Sequence, residues 1–257
     1  MNVNDIELFL NETFPPENAL SYDNVGLIAG DREDIVTAIL VSLDLTDKAI
    51  EAARKAGASL IVTHHPIIFG GIKTLTKDDA VGRTLISLIS SGLSVIACHT
   101  NLDLTGEFGN LAIAEKLGAL DARPLEGTVC GVVYDLNTID RITLKSYCSE
   151  VCRALGTSGI ITINNPENYV NRVFIQGGAL DEDSIPAIIK GGVDTVISGE
   201  IKHHICVALE QYGINTIIAG HSATEQAYLP KMKQLLADRF PGISITVNYN
   251  NEVSSIL

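Results

Sequence analysis

Short apolar runs rich in β-branched residues alternate along the chain with segments whose apolar residues recur at helical spacing. We predict strands at IVTAILVSLD, SLIVTHH, SVIACHT, TVCGVVYDL, RVFIQGG, DTVISG, NTIIAG and ISITVN. Segments between them, such as DKAIEAARKAG, AVGRTLISLISSG and SIPAIIKGG, are predicted helices, and several end on glycine, as a left-handed C-cap requires. This alternation is typical of an α/β protein with largely parallel strands.

Two regions of the chain resemble each other. ARKAGASLIVTHH is echoed by IIKGGVDTVISGE, and SGLSVIACHTNLD is echoed by YGINTIIAGHSATE with a shift of one residue. In each region a helix ends in glycine, a buried strand follows, and polar residues gather where that strand stops. We therefore predict two related α/β domains with mixed, largely parallel sheets.

The stretch 121–128, DARPLEGT, is the most linker-like segment near the middle of the chain, because proline, glycine and charges replace apolar periodicity there. The last predicted strand, near 243–248, could return to the first half. We expect a first domain of residues 1–125 plus 240–257 and a second domain of residues 126–239.

Composition and charge exclude some classes of protein. The chain has 257 residues, of which 46% are hydrophobic and 19% charged, so it can bury a sizeable core and is not a disordered protein. Acidic residues outnumber basic ones 31 to 18, giving a formal charge of -13. That excess disfavours binding of nucleic acid through its phosphate backbone. An anionic substrate would need locally placed positive charge.

The cysteines and the N-terminal sequence bear on location. Five cysteines without a CxxC pair indicate free thiols in a reducing compartment. Cys148 and Cys152 lie one helical turn apart in step with apolar residues, which favours core packing over metal binding. The N-terminus lacks the features of a secretory signal, and no apolar run reaches the ~20 residues of a membrane span. We expect a cytoplasmic protein.

Polar residues follow several predicted strands where each one ends. Two adjacent histidines, His64 and His65, close SLIVTHH just before a proline. Neighbouring side chains on a regular strand point to opposite faces, so these two can share a site only if the strand ends there. SVIACHTNLD runs on to Asp103, and NTIIAGHSATE runs on to His221 and Glu225. Ligands of open α/β sheets bind beyond such strand ends.

This mixture of imidazoles and carboxylates suits zinc, manganese or iron. Two carboxylates can also bridge a pair of cations at the ~3.5 to 4 Å spacing of two-metal sites. Our hypothesis is that His64 and His65 bind different metals of one pair, with Asp103 or Glu225 spanning both, in the cleft between the two domains. The alternative for each residue alone is a hydrogen-bonded histidine or a turn-capping aspartate. Three such strand ends in register favour the metal.

The other histidines carry weaker signals. His99 lies within or at the end of an apolar strand, which favours a core role or a role beside the metal ligands. His203 and His204 fall in the predicted helix GEIKHHICVALEQYG, where His204 shares a face with Ile201 and Ala208. His204 could act as a proton donor, or it could be a plain surface or core residue.

Motifs of other enzyme classes are missing from the sequence. The glycine pairs at 70–71, 177–178 and 191–192 build neither GxGxxG nor a Walker A loop, so we predict no dinucleotide or P-loop site. A serine hydrolase is disfavoured because the chain has no GxSxG elbow.

Five segments, YDNVGL, THHPIIFGGIKTL, HTNLD, SGEIKHH and GHSATE, run in this order from about residue 22 to about residue 225. In order and spacing they resemble the Nif-three-like (NGG-one-interacting factor three-like) family, also known as GTP cyclohydrolase I type 2 homologues. Tyr22 stands where the family usually has tryptophan, a departure that concerns local packing rather than the metal.

The resemblance implies a two-domain α/β protein with a dinuclear metal site, assembled into a ring-shaped homohexamer. It also implies that the family's metal positions fall on the five residues chosen above, His64, His65, Asp103, His221 and Glu225. The histidine after the GE pair, matched here by His204, lies near that site in the family pattern.

Two divalent metal ions per subunit, zinc, iron or manganese, would make the site attractive to an anionic substrate. We therefore expect a metal-dependent hydrolase that uses activated water on a nucleotide or other phosphorylated small molecule. Lys73 could steer phosphate, or it could be a solvated loop lysine. Opening of the purine ring of GTP, which the family name suggests, requires a proton donor, for which His204 is the candidate.

The alternative function belongs to another class. In it the metal pair stabilises a ring-shaped scaffold or regulatory protein that binds partner proteins and catalyses nothing. The two readings differ in what a substitution at Asp103 would do: it would weaken assembly or stability in the scaffold and abolish turnover in the enzyme.

Overall fold

The computed structural model describes residues 1–106, 108–136, 141–157 and 159–249. These residues form two units with separate β-sheets. The first unit comprises Met1–Thr105 and the described chain from Leu229 onwards, and the second comprises the described part of Gly106–Tyr228. Residues 250–257, which the sequence assigns to the first domain, lie outside the described residues.

Helices and strands alternate along most of the chain. The α-helices are α1 Val3–Thr13, α2 Asp47–Lys55, α3 Ala80–Ser90, α4 Thr100–Asp103, α5 Asn110–Lys116, α6 Leu144–Leu155, α7 Ile185–Lys190, α8 His203–Gln211, α9 His221–Glu225 and α10 Tyr228–Arg239. The strands are β1 Gly26–Ala29, β2 Ala38–Ser42, β3 Leu60–Thr63, β4 Ser94–Ala97, β5 Arg123–Pro124, β6 Val132–Asp135, β7 Ile142–Thr143, β8 Ile161–Thr162, β9 Tyr169–Val170, β10 Arg172–Ala179, β11 Thr195–Glu200, β12 Asn215–Ile218 and β13 Ser244–Asn248. Each of the eight predicted strand segments overlaps one of them; β10 and β11 each extend one residue beyond the predicted segment.

The first unit has a five-stranded sheet in the order β1-β4-β3-β2-β13. All pairs are parallel except β1 with β4, which is antiparallel. Every residue of β2, β3 and β4 is buried, as expected of parallel strands covered on both faces. Because β13 pairs with β2, the end of the chain returns to the first half, as its sequence indicated.

The second unit has a six-stranded sheet in the order β5-β6-β10-β11-β12-β8, and β7 pairs separately with β9. Strands β10, β11 and β12 are parallel, while the flanking strands are antiparallel. The prediction of an α/β protein with mixed sheets is therefore confirmed. The flanking strands β5 and β8 were not predicted, because each is two residues long and carries too little pattern to be recognised.

The same sequence of elements occurs in both units. In the first, β2-α2-β3-α3-β4 leads into the short helix α4, and in the second, β10-α7-β11-α8-β12 leads into the short helix α9. Of the three strands in each repeat, the second lies between the other two in the sheet: β3 between β2 and β4, and β11 between β10 and β12. An antiparallel strand pairs with the third, β1 with β4 and β8 with β12. This common order accounts for the internal similarity of the sequence, and it places α4 and α9 at equivalent positions.

The predicted linker, residues 121–128, lies within the second sheet region. Its residues Arg123–Pro124 form β5, which pairs with β6. Helix α5 also belongs to the second unit, since Asn110 Oδ1 accepts a 2.6 Å hydrogen bond from the Gly177 amide of β10. The predicted domain limits, 1–125 plus 240–257 and 126–239, lie elsewhere than the limits of these units and stay predictions.

Two further features can be compared with the sequence. None of the cysteines is in a disulfide; Cys148 and Cys152 are half-buried on α6, beside the buried side chains of Tyr147 and Val151. Within the part of the chain that the structure describes, no helix is both long enough and apolar enough to cross a membrane.

We predict that Leu88→Ala, on α3, lowers the free energy of unfolding of the first unit by about 2–5 kcal/mol. Leu88 is fully buried in the cluster that joins α2, α3 and the sheet, so truncation leaves a cavity. Its neighbour Ile89 is 53% exposed, and Ile89→Ala is the matched control, with an expected loss below about 0.5 kcal/mol. Urea unfolding followed by circular dichroism measures both; equal losses would contradict the assigned orientation of α3.

Candidate metal centre

The adjacent histidines lie just beyond the last residue of a strand, as predicted. β3 ends at Thr63. The His64 amide is shared between the carbonyls of Ser42 and Leu43, both at 3.2 Å, and the His65 amide donates to the same Leu43 carbonyl at 3.0 Å. On a regular strand successive amides point in opposite directions. Because both turn towards one carbonyl here, the side chains no longer alternate, and the two imidazole rings lie with their centroids 5.0 Å apart.

A third imidazole, that of His99, joins this pair. The His99 ring centroid lies 5.1 Å from that of His64 and 5.4 Å from that of His65. One ring nitrogen of each histidine lies within 4.8 Å of one nitrogen of each of the others. The three rings form a group that could hold a metal ion, which we call the imidazole cluster.

Oxygen acceptors fix the tautomers of these rings. The Nδ1 atom lies 2.9 Å from the Cys98 carbonyl in His64, 2.8 Å from Asp44 Oδ1 in His65 and 2.9 Å from Asp23 Oδ1 in His99. A carbonyl or a carboxylate only accepts, so each Nδ1 carries the hydrogen. In the neutral ring the lone pair is then on Nε2. Metal-binding histidines are typically held in this way by an outer carboxylate or carbonyl.

Asp103 completes the first unit's group of predicted ligands. Its Oδ1 lies 3.7 Å from Nε2 of His64, whose side chain is almost wholly buried. A neutral His64 directs its Nε2 lone pair towards that carboxylate. A proton or a cation is needed to make this approach favourable, and a metal ion would bind both atoms.

The second unit repeats this arrangement around α9. His221 Nδ1 lies 3.2 Å from Glu200 Oε1, and His221 Nε2 lies 3.1 Å from Glu225 Oε2. A neutral imidazole has one N–H and can donate to only one of these carboxylates. The second contact therefore requires a fully protonated ring or a cation between nitrogen and oxygen. Glu225 is buried, which makes a compensating positive charge the more necessary.

A glycine pair lets α9 approach the sheet. The register of β10 against β11 shifts between Gln176 and Ala179, and Gly178 within this bulge has a φ of +61°. A Cβ atom on Gly178 would lie 2.4 Å from Glu225 Oε1. Bulges commonly occur beside functional sites, where they redirect the chain. The pair 177–178 builds no dinucleotide loop, but it leaves the space in which the buried carboxylate lies.

His204 and Lys73 lie in different surroundings. The hydrogen bond that the His204 ring makes among the described residues goes to Glu182, at 3.1 Å, rather than to His221 or Glu225. Its side chain is 61% exposed, and its hydrogen bond and charge lower the pKa of Glu182. Lys73 is exposed in the loop that follows the histidine pair, and His203 is exposed on α8.

Sequence reasoning ranked three residues of the first unit too low. His99 was interpreted as a core histidine or one beside the ligands, although it precedes Asp103 by four residues on the same short turn. Asp44 ends the first predicted strand and fell under the strand-end rule that selected the others. Asp23 lies in YDNVGL, one of the segments that carry the family resemblance, but nothing in that segment indicated its contact with His99, which spans 76 residues of sequence.

Comparisons with known proteins identify the family of the chain. The sequence model of the family Duf34/NIF3 (NGG1p interacting factor 3) matches residues 1–253. A protein of Clostridium perfringens named GTP cyclohydrolase 1 type 2 homolog is 29% identical over 244 residues, 93% of this chain and 92% of that protein. A NIF3 homolog of Schizosaccharomyces pombe is 28% identical over 251 residues, 91% of this chain and 89% of that protein.

A solved structure resembles this one over its whole length. The crystal structure of Staphylococcus aureus protein SA1388 has a TM-score of 0.92, covers 100% of this chain and 99% of its own, and is 20% identical in sequence. At this identity the likeness shows the fold. The resemblance drawn from the five sequence segments is confirmed by the family match.

We predict that Gly178→Ala destabilises the second unit by more than Gly192→Ala does. Both glycines have φ near +65°, where an alanine costs roughly 1–2 kcal/mol. Only at Gly178 does the new methyl group also collide with Glu225; at Gly192 nothing lies within 4 Å of it. Thermal and urea unfolding of the two variants measure the difference, and equal losses would show that Glu225 does not need this space.

Proposed function

The chain belongs to the Duf34/NIF3 family, and on this premise we propose that it is a metal-dependent hydrolase with a dinuclear centre, acting on a nucleotide or other phosphorylated small molecule. The proposed metal ligands are His64, His65, Asp103, His221 and Glu225. We further propose that the protein is a cytoplasmic homohexamer and that each subunit binds two ions of zinc, iron or manganese.

One observation carries the proposal. In each unit the Nδ1 of a histidine is held by an oxygen acceptor while its Nε2 approaches a carboxylate, at 3.7 Å for His64 with Asp103 and 3.1 Å for His221 with Glu225. Imidazole and carboxylate in this relation form a donor set that zinc, iron and manganese accept. The residues present therefore fit the metal that the family resemblance implies.

When bound, divalent cations would supply an activated water and Lewis-acid stabilisation of the negative charge that develops during hydrolysis. The chain's own residues do the rest. Asp44 and Asp23 hold the rings of His65 and His99 in a fixed tautomer. His204 is the proposed proton donor to the leaving group. Its Nε2 lies 3.1 Å from the Glu182 carboxylate, and histidine is the side chain that most often transfers protons in this way.

Charge supports an anionic substrate. Two divalent cations against the carboxylates of Asp103 and Glu225 leave net positive charge on a protein whose formal charge is -13. Lys73, exposed in the loop after His64 and His65, is the residue that we propose to steer the phosphate group. The names of the relatives point to GTP, whose ring opening would need a water at C8 and a proton for the departing nitrogen.

We predict about two metal ions per protomer in protein purified without added metal, measured by mass spectrometry, and fewer in His65→Ala and Asp103→Ala. Both substitutions remove a proposed ligand. His203→Ala, an exposed histidine of α8, is the control and keeps the full content. A parent chain that stays empty after incubation with zinc, manganese and iron would refute the dinuclear centre.

Measurement of substrate turnover distinguishes the proposed hydrolase from the alternative, a metal-stabilised scaffold without catalytic activity. With the metal-loaded protein we expect hydrolysis of GTP or of simple phosphoesters, lost in Asp103→Ala while size-exclusion chromatography shows an unchanged assembly. Phosphoester hydrolysis without action on GTP would keep the hydrolase and remove the cyclohydrolase reading. A dissociated ring, with no substrate turned over by the parent, would favour the metal-stabilised scaffold instead.

A further inference from the structure

His99 lies outside the five proposed ligands, and its hydrogen bonding resembles that of a ligand more than that of a core histidine. A core histidine usually has both ring nitrogens satisfied by protein groups. Among the described residues the His99 ring makes one hydrogen bond, through Nδ1 to Asp23. Its Nε2 has the lone pair and belongs to a ring packed against those of His64 and His65.

Asp23 is built to hold that ring. Its side chain has no exposed surface, and its Oδ2 accepts hydrogen bonds from the amide and the hydroxyl of Thr100, at 3.0 and 2.5 Å. Oδ1 accepts from His99 and from the amide of Asn24. Burial alone would raise the pKa of Asp23, but the contacts with His99 and Thr100 outweigh it and lower the pKa well below its usual value. Both oxygens of Asp23 are engaged by donors, and the His99 ring faces Oδ1 with Nδ1.

The same short segment ties together the two strand ends of the imidazole cluster. Asp23 binds His99 and Thr100, at the start of α4, the helix that carries Asp103. Asn24 donates from Nδ2 to the carbonyl of Ile68, in the loop that follows His64 and His65, at 2.7 Å. The side chains of Asp23 and Asn24 therefore fix the relative positions of the segments that follow β3 and β4.

We propose that His99 is a further metal donor of the imidazole cluster, and that Asp23 is the positioning residue that directs its Nε2 to the ion. The inference rests on the metal centre of the proposed function and adds a sixth donor to it. In the neutral ring, Asp23 keeps the hydrogen on Nδ1 and so leaves Nε2 able to bind. Three imidazoles with outer oxygen partners form a nitrogen-rich site, which favours zinc, iron or cobalt over magnesium or calcium.

Cobalt titration of the metal-free protein tests this directly. Co²⁺ reports its ligands through visible absorption, so the test needs no substrate and stays informative if no hydrolysis is ever found. We expect His99→Gln to lower the affinity for one of the bound Co²⁺ ions by more than about 100-fold and to change the visible absorption spectrum of that ion. Asp23→Asn should lower the affinity for the same ion roughly 10–100-fold, since an amide can donate to Nδ1 and move the hydrogen to Nε2.

Asp79→Asn is the matched control for the loss of a carboxylate. Asp79 caps α3 by accepting from the Gly82 amide at 2.8 Å, a role that asparagine also fills, and we expect unchanged Co²⁺ binding. An unchanged affinity and spectrum in His99→Gln would overturn the donor role. A loss in His99→Gln with normal binding in Asp23→Asn would overturn the positioning role. Far-UV circular dichroism verifies folding, and His99→Gln, which keeps Asp23, decides the donor role if Asp23→Asn does not fold.

Discussion

The candidate centre of the first unit depends on the point at which β3 stops. Thr63 is still paired in the parallel ladder, and the next two amides converge on the carbonyl of Leu43. That local change of direction allows two consecutive side chains to face the same space, which a strand forbids. One more residue of regular strand would send His64 and His65 to opposite faces of the sheet. The buried ladder of β2, β3 and β4 fixes the endpoint, because a slip of one residue would move every side chain of β3 to the opposite face of the sheet, where it would have to pack against different neighbours.

Both units use one architectural device. In each unit a parallel strand ends, a short helix begins within a few residues, and the carboxylate on that helix lies near an imidazole. Asp103 on α4 lies near His64, which follows the neighbouring strand β3, and Glu225 on α9 lies near His221 of the same helix. The short helices occupy equivalent places in the two β-α repeats, beyond the carboxyl end of the last parallel strand. Open α/β sheets generally bind ligands at this end. The repeat therefore explains why two distant parts of the sequence supply the same kinds of residue.

Sequence patterns were sufficient for what depends on local order. The strands β2, β3, β4 and β11 are buried along all or nearly all of their length, so their apolar runs were long enough to recognise, and the polar residues that follow them stood out. The antiparallel strands β5 and β8 are too short to have a pattern. The role of Asp23 was missed for another reason. It lies 76 residues before His99 in the sequence, with β1 to β4 between them, and only the folded chain brings the two side chains together. Gly178 looked like a weak motif because its purpose is to be small beside Glu225.

These contacts also bear on the stability of the fold without metal. His64 Nε2 and Asp103 Oδ1, like His221 Nε2 and Glu225 Oε2, bring an acceptor lone pair near a carboxylate unless a proton or a cation intervenes. In a partly buried site such pairs cost free energy, and the surrounding packing must hold them in place. A bound cation turns each of them into an attractive contact, so metal affinity and folding stability are linked. Within these pairs the Nδ1 of His64 is held by the Cys98 carbonyl and that of His221 by Glu200, so each imidazole is supported on the side away from the carboxylate that its Nε2 approaches.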